Sequence, residues 1–541
     1  MDRFINKTKQ IIFAQQGGIF SSALIISGMI VISGVFGFLR YRILAGYFTK
    51  EELDIFFAAF RLPDLIFEIL ITGALTSSFI PVFIKYQKNK EELEQHISSI
   101  FNLLLIILVM IVIVLYFSMD SLIPFITPGF KGEKLMQVIL YSKILLISQL
   151  PFLVAGNFLT GIAQAHKTFF ITSVAPILYN LSVIVGTLLF ASQFHLLAPI
   201  LGVSVGAVLF FLIQIPIIIT FEIKYRLTIK ITNGVKEFFK MIGPRILTVI
   251  ITQIDATIDL SLTSLLGSGS YTIFYLAQHL QLLPVSVIGV AFGQASLPYL
   301  SEMVEQGRQD ELKKIIIESL LNLFFFTVPI MVFFVFARTP LIRVFFGGEK
   351  FDWDATVQTA YTLSYFALSL PFHAVYYFLT RCFYALFDSK TPFIISLFTI
   401  ALNTLLSLYF ILVVKLPIWS LAISFSVSVI ANSTILFIIL SARLKNMDIP
   451  FFIKEISKMT LASCLASLPA YYLIKLMDNL LLDTTRTINV FVLLTSSALL
   501  YFLLYLLLSW LLNIKEMYSI SRLFAKAKLF QKKITEITSY E

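Results

Sequence analysis

The sequence predicts an all-α polytopic membrane protein with fourteen transmembrane helices: two six-helix bundles in parallel repeat, then two C-terminal helices. Three observations lead there. The 541 residues are 58% hydrophobic and 13% charged, where soluble domains run near 45–50% apolar and about 25% charged. Apolar runs of about 20 residues, long enough to cross a bilayer, recur from end to end. Motifs of the first half also recur in the second at a nearly constant offset.

The spans fall at about 19–47, 54–84, 95–118, 135–164, 168–192, 197–221, 243–266, 271–300, 315–337, 357–386, 391–414, 417–440, 459–478 and 488–512. Polar loops such as KYQKNKEELEQH (85–96) and EMVEQGRQDELKK (302–314) separate them, and no gap holds a soluble domain. Residues 1–17 and 513–541 are short, basic and partly amphipathic, as expected of segments lying on the membrane surface. The N-terminus lacks a short apolar stretch followed by a small-residue cleavage site, so no cleaved signal peptide is expected. Cys382 and Cys464 both lie inside apolar runs, which reads as buried thiols rather than a disulfide framework.

Loop charge sets the orientation. With the N-terminus in the cytoplasm, 26 of the 41 Lys and Arg fall in cytoplasmic segments and nine on the opposite side, Lys475 near the end of its span counted with the opposite loops. The positive-inside bias therefore predicts cytoplasmic N- and C-termini. It also accounts for the net charge of +10 by topology and contact with anionic membrane lipids, without nucleic acid.

LPFLVAGNFLTGIAQAHKTFFI begins at Leu150 and LPFHAVYYFLTRCFYALFDSKTPFII at Leu370, with shared LPF, FLT and KT elements 220 to 223 residues apart. Asn180 and Asn403, Pro63 and Pro284, and Pro81 and Pro298 continue the offset. The expected division is a bundle over 1–221, a second over 222–445, and a remainder, 446–541, holding the last two helices and a basic tail. An even number of helices per repeat gives both halves one orientation, the plan of transporters that bind substrate between halves and work by alternating access.

Charges inside the spans are the candidate site. In DIFFAAFRLPDLIFEILITGALTSSFIPVF, Asp54, Arg61, Asp64 and Glu68 project within about 80° of one another at 100° per residue, forming one stripe. Either they line a wet cavity or Arg61 pairs locally with Asp64 and Glu68; a lipid-facing stripe would desolvate four charges. Pro63 and Gly73 interrupt this helix. Arg40 and Arg42 lie about 200° apart, so one faces the cavity while the other pairs locally or snorkels. His279, Arg245 and Arg381 are the cations of the second half, a lone intramembrane His being also a common structural group. Asp255 and Asp259, one turn apart in TQIDATIDLSLTS, suit a hard cation or a proton, or else pair with Arg245 or nearby hydroxyls.

The sequence contains no GxxxxGK[ST], HExxH, paired CxxC or GxSxG. Enzymatic chemistry is not expected, and no bound cofactor. Transport is expected to draw on an ion gradient, the membrane potential or the substrate's own gradient.

The stretch GFLRYRILAGYFTKEELDIFFAAFRLPDLIFEILITGALTSSFIPVF resembles the opening of the MurJ/MviN lipid II flippases of the MOP exporter superfamily, in the GF, Arg40, Asp54, FF, AF, LP, GA and Pro81 elements. VIGVAFGQASLPYLSEM, QIDATIDLSLTS and DSKTPF extend the likeness over the full chain. Gly34, Tyr41, Phe67, Thr72 and His279 stand where the family pattern carries arginine, aspartate, arginine, glutamate and arginine. The resemblance implies fourteen helices, the last two adding a groove for a lipid tail, in the bacterial cytoplasmic membrane. It implies an undecaprenyl-diphosphate-linked peptidoglycan precursor as substrate, moved from the inner to the outer leaflet, and wall-synthesis enzymes as partners. Arg40, Asp54, Arg61, Arg42, Glu68, His279 and Arg381 become the candidate headgroup residues. Asp259, with Asp255 and Asn403, becomes the candidate site for a coupling cation, sodium or a proton. Competing readings are a wall-polymer oligosaccharide flippase or cation-coupled drug exporter on the same fold, and a non-transporting scaffold that binds the lipid-linked precursor.

Overall fold

The computed structural model describes residues 19–71, 76–166, 168, 170–445, 447–478 and 482–517. Gly73 and, of the two segments expected on the membrane surface, all of 1–17 and the part of 513–541 from 518 onward lie outside these residues, as does the side chain of Arg245. Nearly everything described is helical, and ten helices are long and apolar enough to cross a membrane by length and composition. Four expected spans fall outside that measure. The stretch 54–84 is divided into short helices, polar side chains dilute 357–386, and several side chains of 19–47 and of 243–266 lie outside those described.

The chain folds into two compact units, Met1–Thr272 with Phe345–Asp352, and Ile273–Val344 with Trp353–Glu541. The first unit contains α1 (Ile19–Tyr47), α2 (Lys50–Ala59), α3 (Arg61–Leu70), α4 (Thr76–Tyr86), α5 (Lys90–Ile126), α6 (Gly132–Ser148), α7 (Leu150–Ala165), α8 (Phe170–Phe194), α9 (Leu197–Leu212), α10 (Pro216–Thr220) and α11 (Asn233–Leu265). Helix α9 packs on both α7 and α8, and α1 covers α8. Glycine allows the closest of these approaches. A Cβ at Gly202 would lie 2.9 Å from the Ser182 carbonyl oxygen, and one at Gly206 2.9 Å from that of Tyr179, the small-residue device by which membrane helices bring their backbones together.

The second span, expected to be interrupted at Pro63 and Gly73, is broken three residues before Pro63. It starts one turn earlier, capped by a reciprocal Thr49–Glu52 box, and tightens at Phe60, whose N–H donates to the Phe57 carbonyl in a 3₁₀-like turn. Pro63 falls in the first turn of α3, where its missing N–H is tolerated.

The second unit holds α12 (Ser270–Pro284, whose first turn belongs to the first unit), a π-helical turn at Val285–Val290, α13 (Ala291–Glu305), α14 (Gln309–Phe336), α15 (Arg338–Phe346, whose last two residues belong to the first unit), α16 (Trp353–Ala385), α17 (Lys390–Leu408), a second π turn at Tyr409–Val414, α18 (Trp419–Leu444), α19 (Ile449–Leu476) and α20 (Thr487–Leu511). Here α18 packs on both α16 and α17, the arrangement of α9 on α7 and α8, so repeated sequence yields repeated packing. Asp388, in the DSKTPF motif, accepts the Thr391 N–H at 3.0 Å, its hydroxyl at 2.6 Å and Arg443 Nη2 at 2.7 Å. The start of α17 is thereby tied to the end of α18.

Helices α19 and α20 pack on each other and on α14. Pro329 in α14 has no N–H to offer the Phe325 carbonyl four residues back. The hydroxyl of Tyr505 donates to that oxygen at 2.9 Å, and Tyr501 donates to the Pro329 carbonyl at 3.0 Å while bonding Ser463 at 2.5 Å.

Candidate charged site of the first unit

Helices α1, α3, α8 and α11 bring intramembrane charges together. Arg40, Arg61 and Glu68 all act electrostatically on Asp64, and Arg61 acts also on Asp259, whose carboxylate neighbour is Asp255. Tyr179 and Tyr271 border the group, the first within the fields of Arg40 and Asp64, the second within those of Arg61, Asp64 and Asp259. Arg40, Arg61, Asp64 and Glu68 are only half-buried, as suits charges that keep access to water.

Arg61 spends its donors across helices rather than along its own. Nη2 donates to the Gln253 carbonyl at 2.6 Å and to Gln253 Oε1 at 2.7 Å, while Nε donates to Thr257 Oγ1 at 3.0 Å. Gln253, Thr257 and Ser261 recur every four residues, forming one polar stripe on α11. Charge alone draws attention in this segment to Asp255 and Asp259 and passes over the stripe, although its four-residue spacing is a signal the sequence carries.

Arg40 and Arg42 part company. Arg40 lies over the Tyr41 ring at 4.7 Å and within the field of Asp64. Arg42 instead lines a recess of about 620 Å³ with Leu39, Gly46, Gly348, Glu349 and Lys350.

Asp54 is set differently again, fully buried with both oxygens engaged. It accepts Lys134 Nζ at 2.7 Å, the Gly269 N–H at 2.6 Å, the Thr272 N–H at 2.7 Å and the Thr272 hydroxyl at 2.8 Å. This knot joins α2, α6 and the start of α12. Gly269 is required in it: its φ is +89°, and a Cβ there would meet the Lys50 side chain at 2.6 Å.

Phe67, at the family's arginine position, packs against the apolar cluster of Leu153, Ala175, Ala207 and Phe210. In the second unit, His279 Nδ1 lies 2.9 Å from the Tyr275 carbonyl oxygen with the rings stacked 3.9 Å apart. Arg381 lies over the Tyr384 ring at 5.6 Å, and Asn403 is buried within α17. Among the described residues, no three His, Cys, Asp or Glu groups stand together in metal-binding range.

Apolar helices of bilayer length, together with a charged, half-buried cluster, define a multi-pass helical membrane protein. Within that class the particular family is identifiable: a sequence model described as Lipid II flippase MurJ matches residues 45–492, and the chain belongs to that family. Similar proteins include the probable lipid II flippase MurJ of Thermotoga maritima, 28% identical over 435 residues and covering 80% of this chain and 86% of that one. The lipid II flippase MurJ of Thermosipho africanus is 27% identical over 461 residues, covering 85% and 91%. Among solved structures, one described as lipid II flippase MurJ in an inward closed conformation superposes with a TM-score of 0.75 at 26% identity, over 90% of this chain and 98% of that one. An inward-facing multidrug resistance MATE transporter of the MOP superfamily shares the fold, with a TM-score of 0.64 at 14% identity over 76% and 94%.

Proposed function

We propose that the chain is a lipid II flippase, carrying an undecaprenyl-diphosphate-linked peptidoglycan precursor from the inner to the outer leaflet by alternating access. The observation that carries the reading is the half-buried Arg40–Arg61–Asp64–Glu68 cluster among membrane helices in a chain of this family. Guanidinium groups bind phosphate bidentately, and the surrounding carboxylates keep those cations tolerable while no ligand is bound. In this reading Arg40 is the principal headgroup ligand and Arg61 exchanges its bonds to α11 for bonds to phosphate. Glu68 balances their charge, and Arg42, His279 and Arg381 take secondary places along the route. Asp54 serves by holding α2, α6 and the start of α12 together.

The proposal includes fourteen spans, divided at 1–221, 222–445 and 446–541, with both termini in the cytoplasm of a bacterial cell. It also includes a coupling cation, sodium or a proton, at Asp259 with Asp255. Two oxygen ligands one turn apart are a hard-cation donor set. The deciding experiment is complementation of a strain depleted of its lipid II flippase. Restored growth with restored outer-leaflet lipid II supports the reading. Failure to complement, with normal membrane insertion, returns the choice to another MOP-fold transporter or a precursor-binding scaffold.

A further inference from the structure

A second cationic site lies in the second unit, built from charges that the proposed transport route does not use. Where α14 ends and α20 begins, Arg338, Arg343 and Lys475 line a cavity of about 450 Å³ with Trp353 and Tyr471; Asp478 is the one carboxylate in its lining among the described residues. The three cations lie against aromatic faces: Arg338 over Tyr361 at 4.7 Å, Arg343 over Trp353 at 5.9 Å, and Lys475 over Tyr471 at 5.9 Å. A ring orients a cation without neutralising it. Arg343 also donates to the Thr484 carbonyl, fastening the loop before α20 to α15.

Loop charge places this end of the helices on the outer side, where only nine Lys and Arg occur; three of those nine converge on this one cavity. Positive residues on the translocated side run against the topological bias, so their convergence calls for a ligand. Trp and Tyr belong at the headgroup level of a bilayer. The flanking helix ends expose Leu476, Ile488 and Phe491, apolar surface that suits a lipid chain.

We propose that this cavity receives the diphosphate of a polyprenyl-linked lipid on the outer face, holding it on Arg338, Arg343 and Lys475 as it leaves the transport route. The inference rests on the flippase reading for its direction of travel. Arg is suited to the task because a diphosphate offers paired oxygens to its fork, whereas a lone phosphodiester offers fewer.

The test uses the full chain in detergent micelles, with Tyr471 replaced by a benzoylphenylalanine photocrosslinker and undecaprenyl diphosphate as the probe. The expected result is a crosslink that a tenfold excess of phosphatidylglycerol does not displace. It should fall at least tenfold in R338Q/R343Q and at least threefold in K475Q, whose exposed side chain leaves the packing intact. Equal displacement by phosphatidylglycerol would make the cavity a general anionic-lipid site and overturn the proposal. A crosslink undiminished in K475Q and in R338Q/R343Q would overturn it too. The two readings fail separately: complementation without a crosslink sinks this site alone, while a specific crosslink without complementation sinks the flippase reading and leaves a diphosphate-lipid site standing.

Discussion

Replacing Arg61 by alanine separates its structural work from its proposed ligand work. Its guanidinium makes three bonds, to the Gln253 carbonyl, Gln253 Oε1 and Thr257 Oγ1, at 2.6, 2.7 and 3.0 Å. A hydrogen bond to a charged group is worth about 1.5–3 kcal/mol. The bonds share one half-exposed side chain and do not add, so Arg61→Ala is expected to cost about 2–4 kcal/mol of stability. Gln253→Ala removes the Oε1 bond but keeps the carbonyl, so a double-mutant cycle should return a coupling of about 1 kcal/mol. Unfolding in mixed SDS micelles, followed by circular dichroism, measures it. Ligand binding moves in opposite senses: Arg61→Ala weakens binding of undecaprenyl diphosphate, whereas Gln253→Ala strengthens it by freeing the guanidinium. Additive stabilities within about 0.5 kcal/mol, or unchanged binding in Arg61→Ala, would refute the exchange.

Arg40→Ala is expected to abolish lipid II flipping in the depletion strain while membrane insertion, followed by immunoblotting of membrane fractions, stays normal; full activity removes Arg40 from the mechanism. Asp259→Asn should make transport in proteoliposomes insensitive to a sodium or proton gradient, and a wild-type chain indifferent to both would leave the carboxylate a structural group. Tyr505→Phe leaves the Phe325 carbonyl without its donor in a buried place, so denaturation should report a loss of about 1–3 kcal/mol. Asp388 is pulled down to about 2 by the Thr391 hydroxyl and amide and by Arg443. A depressed carboxyl stabilises the folded state above its unfolded pKa, near 3.9, and the contribution drains away as pH falls towards 2. Asp388→Asn should flatten that part of the pH–stability curve; an unchanged curve would mean that Asp388 does not set it.

Hydrophobic run length and the internal offset make the helical class and the α7–α9 to α16–α18 correspondence legible. Both depend on local periodicity, which sequence carries directly. Pro63 announces a break in the second helix but not its place, because the 3₁₀ turn at Phe60 costs no apolar residue and leaves no gap in the run. Intrahelical spacing, all that one segment reveals, points Arg61 along its own helix at Asp64 and Glu68. Its bonds to Gln253 and Thr257 span about 190 residues of sequence, a separation at which no spacing rule operates. Phe67 illustrates the reverse: loss of a family arginine reads as a missing cation, yet the site is filled by apolar packing, so Phe67→Arg would press a guanidinium into hydrocarbon rather than supply a replacement ligand. Asp54 reads as a cavity group because it is a charge in an apolar stretch. Only the fold brings Lys134, Gly269 and Thr272 to it.

Pro329 carries a mechanical consequence. A proline inside a membrane helix is ordinarily a hinge, because the carbonyl it strands lets the two segments swing. In α14 the stranded Phe325 oxygen is held by Tyr505, and the Pro329 carbonyl one turn on by Tyr501, so the hinge is splinted from outside. Bending α14 means breaking two buried bonds to α20 in surroundings with no water to replace them. The two helices therefore swing as one lever. A chain cut short before α20 would lose more than a final pass through the membrane: its α14 would be limp at the middle, unable to transmit force from one end to the other.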